Sequence, residues 1–136
     1  MRDQISVTKP DFEKLQWLIE GWRSRGAPDS EYLERLEQEL ERAEVVEADA
    51  IPPDVVTMNS LVRLKDLDSG AVTDYRLVFP FQSRPENGVS VLAPVGAAML
   101  GYRAGDVVEW RVPRGIRRLQ VVKVLYQPEA AGASDR

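Results

Sequence analysis

A chain of 136 residues, 43% hydrophobic and 29% charged, has the composition of a soluble globular protein of one domain or two small ones. It has no cysteine and no histidine, which removes disulfides, thiolate nucleophiles, Ser-His triads and nearly every zinc site. Residues 1–53 hold 7 Lys/Arg against 13 Asp/Glu and residues 54–136 hold 11 against 9, so the first half repels a phosphate backbone.

The first half reads as two helices. From Asp11 to Arg23 the residues Phe12, Leu15, Ile19 and Trp22 recur at helical spacing, widened by Leu18, and Thr8 or Asp11 is the candidate cap. Gly26-Ala27-Pro28-Asp29-Ser30 makes the turn, with Asp29 or Ser30 capping a second helix from Glu31 to Glu47. Leu33, Leu36, Leu40 and Ala43 fall at heptad-like positions along it, giving an antiparallel hairpin with only two heptads of seam. Pro52-Pro53 ends the helix and marks a boundary between a hairpin unit (1–53) and a second unit (54–136).

Beyond that boundary the period becomes two. Val62 and Leu64 alternate with Arg63 and Lys65; Tyr75, Leu77 and Phe79 with Arg76; Val108, Trp110 and Val112 with Glu109 and Arg111. Asp68-Ser69-Gly70 and Pro113-Arg114-Gly115 are the hairpin turns. Between them, Ser90 to Asp106 holds a strand end, a short helix begun by Pro94 and closed by Gly101, and a Gly105-Asp106 turn. The last strand, Ile116 to Tyr126, changes phase after Val121, which calls for a bulge or for burial of both faces. The tail 127–136 is expected to fray at its end. No apolar run reaches the length of a membrane span and the first residues lack a signal-peptide core, so a cytoplasmic protein with no membrane partner is expected.

Several groupings carry possible chemistry, and each has a plainer reading. At the hairpin tip, Asp29 and Glu31 could hold Mg²⁺ jointly with a partner's ligands, but capping and the helix dipole account for both. Phe79, Phe81, Tyr102 and Trp110 could line a pocket, though packing is the commoner use of such residues. Asp106 reads as a turn residue bonding its own backbone rather than a catalytic carboxylate. The basic run Arg111, Arg114, Arg117, Arg118 and Lys123 lacks interleaved stacking aromatics and reads as a solvated strand face. Leu92 to Leu100, poor in charge and rich in Gly and Ala, is either a packed helix or a docking patch. No catalytic, metal or cofactor site emerges, and the chain reads as a non-enzyme.

The order of these parts resembles the Gre-factor superfamily of bacterial transcription elongation proteins. The shared features are Val62-x-Leu64-x-Asp66, Gly70, Tyr75-x-Leu77-Val78, Val89-Ser90, Pro94 with its small-residue helix to Leu100-Gly101, Gly105-Asp106, Pro113-x-Gly115 and Tyr126. Three blocks are most similar to the superfamily's Rnk branch, the regulators of nucleoside diphosphate kinase: 53–60 (PDVVTMNS), 93–98 (APVGAA) and 126–132 (YQPEAAG).

The resemblance implies an α+β fold: an antiparallel coiled-coil hairpin followed by an FKBP-like antiparallel sheet domain with a short helix. It implies a partner, RNA polymerase, whose secondary channel the hairpin enters while the second unit docks at the rim, with DNA met only weakly or indirectly through the transcription complex. Carried over by position, Ser90, Leu92, Ala93, Pro94 and Val95 form the docking loop and Asp29 and Glu31 the tip; Leu92 stands where Gre factors tend to have an acidic residue. The shorter hairpin and the tip 25–31 (RGAPDSE) imply channel occupancy without transcript cleavage. A Gre-type cleavage factor and a proline isomerase are the alternatives.

Overall fold

The structure is a computed structural model that describes residues 4–24, 31–82, 85–112 and 115–132, without the side chains of 31, 32, 94 and 110–112. The elements are β1 (Ser6–Thr8), α1 (Lys9–Ser24), α2 (Glu31–Glu41), β2 (Glu44–Val46), β3 (Leu61–Asp66), β4 (Val72–Val78), β5 (Gly88–Ser90), α3 (Pro94–Met99), β6 (Val107–Val112) and β7 (Gly115–Tyr126). They form a mixed α+β fold with a five-stranded sheet in the order β5-β4-β3-β7-β6, antiparallel except for β4 with β5.

The first helix begins two residues earlier than its apolar spacing suggests. Thr8 is its cap, its hydroxyl accepting from the Asp11 amide at 3.3 Å. The second helix is shorter than the expected Glu31–Glu47 and ends at Glu41. There the chain turns, the Glu44 amide donates to the Ile5 carbonyl at 2.8 Å, and Glu44–Val46 pairs in parallel with Ser6–Thr8. The adjacent β-branched Val45 and Val46 suit that strand. Backbone bonds to the N-terminal segment thus replace about a turn and a half of helix.

In the sheet, Val62, Leu64, Leu77, Val108, Leu119 and Val121 are buried while Lys65 and Lys123 are exposed, as the alternation predicts. The phase change in β7 is a pair of bulges: the β3–β7 register skips one residue at Leu125 and another at Val122. Val122 is left 42% exposed, and Val124 returns to pack against the core. That core is one continuous cluster drawing Ile5, Leu15, Leu33 and Leu36 together with Val62, Leu77, Met99 and Val121. Burying each such aliphatic side chain contributes about 1.5–3 kcal/mol.

Candidate docking site

The three blocks most specific to this sequence prove to be structural ties, and two of them are tied to each other. Gln127, buried, donates its amide to the carbonyls of Pro52 and Val55, both at 2.8 Å, and its own carbonyl accepts from the Ala130 amide. Thr57 donates its hydroxyl to Glu129 at 2.7 Å, and the Thr57 amide donates to Ser60 Oγ. Asn59 takes a left-handed φ of 69°, a conformation Asn tolerates better than most residues. The start of the tail is therefore pinned, and residues 133–136 lie outside the described residues.

Asp11 joins this junction to the hairpin. Its carboxylate, buried on the first turn of α1, accepts from the Met58 amide at 3.1 Å. Burial is the main cause that pushes its pKa up to about 6; the Met58 bond acts the other way and the nearby Glu129 charge adds to the rise.

The third block shapes the loop expected to dock. Ala93 precedes α3 in an extended conformation, Pro94 opens the helix, and Gly101 follows it at φ +82°. Ser90 is buried: its Oγ accepts from the Leu92 amide at 3.0 Å and its carbonyl accepts from the Ala93 amide at 2.9 Å. Gly96 lies so close to that carbonyl that a Cβ would sit 2.0 Å from it. A Cβ on Gly101 would likewise meet the Ile5 side chain at 2.5 Å, so the N-terminal segment seats directly on the end of α3.

Of the expected docking residues, Ser90 is thus an internal support, while Leu92, Ala93 and Val95 are half-buried and packed against the core. The Pro94 side chain lies outside the described residues, as do Asp29 and the side chain of Glu31 at the tip. The stretch from Ala97 to Leu100 is buried, which gives most of the charge-poor segment to the core. Beside Val95 opens a cavity of about 340 Å³ with Leu64 and Leu119 at its base and Thr73, Tyr75 and the Asp66–Arg117 ion pair around it.

Other described candidates resolve as packing, turns or ion pairs, while the side chains of Trp110 and Arg111 and the whole of Arg114 lie outside the described residues. Asp106 accepts from the Arg103 amide at 2.8 Å across the turn at Gly105. Phe79 and Phe81 stack with centroids 5.0 Å apart, whereas Tyr102 is buried with a hydrogen bond to Arg35, and burial raises its phenol pKa. Arg117 and Arg118 pair with Asp66 and Asp68, which explains two members of the basic run without nucleic acid. The Arg117 guanidinium, with the Asp68 and Ser69 amides, holds the Asp66 carboxyl below its ordinary range. Helical spacing placed Trp22 on the buried stripe, but it is 37% exposed, and Trp17, which the spacing did not single out, is 67% exposed.

The family "Transcription elongation factor, GreA/GreB, C-term" matches residues 51–126, and "Rnk N-terminus" matches residues 3–46. The regulator of nucleoside diphosphate kinase of Escherichia coli strain K12 is 41% identical over 133 residues, covering 96% of both chains. Transcription elongation factor GreA of Syntrophus aciditrophicus is 34% identical over 97 residues, which are 71% of this chain and 60% of that protein. A solved structure described as a prokaryotic transcription elongation factor GreA/GreB from Nitrosomonas europaea superposes with a TM-score of 0.71 at 38% identity, covering 92% of this chain and all of that one. With Gly96, Gly101 and the whole five-stranded sheet falling inside the matched residues 51–126, the chain belongs to the GreA/GreB family, on the branch that carries an Rnk-type N-terminus.

Proposed function

We propose that this protein regulates transcription by binding RNA polymerase at its secondary channel, without stimulating transcript cleavage. The observation that carries the reading is the match along nearly the whole chain to a regulator of nucleoside diphosphate kinase, with a GreA/GreB C-terminal match inside it. In the finer form of this proposal, residues 1–53 are a short coiled-coil hairpin that enters the channel with Asp29 and Glu31 at its tip. Residues 54–136 are an FKBP-like unit that docks at the rim through Leu92, Ala93, Pro94 and Val95, with Ser90 holding that loop in shape.

The lengths of the helices support occupancy over catalysis. At 1.5 Å per residue the 16 residues of α1 run roughly 24 Å and the 11 of α2 roughly 16 Å. Metal ligands assist a reaction only when held within ångströms of the reacting atoms. A hairpin that stops short contributes bulk in the channel and no chemistry. DNA is met only through the transcription complex, and the link to nucleoside diphosphate kinase is carried by the likeness to its named regulator.

Co-elution with core RNA polymerase at micromolar concentration is the expected result; failure to bind there contradicts the proposal. Stalled complexes given the bound protein should keep their transcripts at full length. Shortened RNA, lost on Asp29→Asn or Glu31→Gln, would assign the cleavage activity instead.

A further inference from the structure

The outer face of α1 carries an open slot that the fold itself does not use. Trp17, Leu18, Glu20, Gly21, Trp22 and Ser24 line it, around about 330 Å³. Gly21 lies within the helix, where glycine costs about 1 kcal/mol relative to alanine. No packing demands it: a Cβ at Gly21 would meet nothing within 4 Å, whereas one at Gly96 would strike a backbone carbonyl. Without a side chain, Gly21 leaves open the slot that both tryptophans line.

Among the described residues, the charge around the slot is negative. Of the described cations nearby, Lys14 places its Nζ 5.9 Å from the Phe79 ring and Arg23 forms an ion pair with Glu37. Glu20 also lines a smaller adjoining cleft of about 140 Å³ between α1 and α2, together with Glu37 and Glu41. Two indole faces beside a carboxylate suit a cation that is flat or carried on an aliphatic stem: the ring quadrupoles attract it and Glu20 accepts a charge-assisted hydrogen bond. Phosphates are repelled by the same acidic surface. A second copy docking symmetrically would set Glu20 and its acidic flank against themselves.

We propose that the Trp17–Gly21–Trp22 slot is a docking site for a basic polypeptide segment, one arginine or lysine side chain entering between the indoles and a neighbouring basic residue lying along the Glu20/Glu41 cleft. This site is separate from the loop at Pro94, and its occupant is recognised by charge and shape whether or not the polymerase reading holds.

The test titrates the intact protein with a short Arg-Gly repeat peptide and follows the indole N–H resonances. A Lys-Gly peptide, a Glu-Gly peptide and a single-stranded RNA of equal length are run beside it. Saturable shifts at Trp17 and Trp22 but not Trp110, seen with the basic peptides alone and weakened by salt, are expected. Trp17→Ala should weaken binding about fivefold, in line with the loss of one cation–π contact. Glu20→Gln should weaken it and flatten the salt dependence. Gly21→Leu should abolish it while leaving circular dichroism and the melting temperature at or above wild type, since the side chain enters open space. Absence of saturable shifts with either basic peptide, unchanged affinity in folded Gly21→Leu, or equal response to the Glu-Gly peptide or the RNA would overturn the proposal.

Discussion

Gly21 and Gly96 each sit inside a helix, yet only one is there for steric reasons. In α3 the glycine lets the helix close onto the Ser90 carbonyl, and the residues after it, Ala97 to Leu100, go into the core. In α1 a Cβ on the glycine would meet nothing, and two tryptophans near it are exposed, Trp17 far more than Trp22. The segment that looks most like a docking patch in sequence is therefore mainly structural. The helix that looks like half of a packed hairpin keeps, among the described residues, an exposed aromatic face.

Mutations should separate the two helices sharply. Gly96→Ala forces a methyl into a backbone carbonyl and is expected to cost about 3 kcal/mol, as overpacking does at well-filled sites; urea unfolding with an unchanged slope checks it. At the junction beneath α1, Gln127→Ala removes both donors to the Pro52 and Val55 carbonyls and should cost about 2 kcal/mol in the same assay. Gly21→Ala should do the reverse of Gly96→Ala, raising stability by up to about 1 kcal/mol through helix propensity. An equal loss at both glycines would erase the distinction.

Asp11 gives the comparison a pH dependence. Its folded pKa of about 6 lies above the ordinary 3.8, so the folded state holds a proton that the unfolded state releases across that interval. Stability from this group is fully present below about 4 and is lost as pH rises to about 6, a change of about 3 kcal/mol. Asp66 and Asp74, held below the ordinary range by hydrogen bonds from Arg117 and Arg63, have the opposite sign and lose stability only at lower pH. Asp11→Asn keeps an acceptor for the Met58 amide and should flatten the profile between pH 4 and 6. A profile unchanged in that variant would assign the slope to another group. The smallest effect is expected at Arg118→Ala, whose pair with Asp68 is exposed on both sides and should leave the melting temperature unchanged within error.

What could be read in advance was local. Pro94, Gly101, Gly105 and the alternation of β3 announce themselves within a few residues, because caps, turns and strand faces are decided at that range. The phase slip in β7 was visible as well, as valines falling out of step. The β1–β2 pair was not, since two three-residue strands 38 positions apart, one with a glutamate in it, carry no periodic signal. The same distance hid the partners of Gln127 and Glu129, which lie more than seventy residues away. Trp22 was misplaced because helical spacing identifies a stripe without saying where its cover ends. Within the loop expected to dock, sequence could not tell the half-buried Leu92 from Ser90, whose hydroxyl is turned to its own backbone.

The most direct test of the polymerase reading is photocross-linking from residue 92, replaced by a photoreactive amino acid, in the presence of core RNA polymerase. The account predicts a covalent adduct between position 92 and a polymerase subunit, abolished by excess unmodified protein. Co-elution of the two without any adduct from position 92 would contradict docking through this loop, and absence of both would contradict the function proposed for the chain.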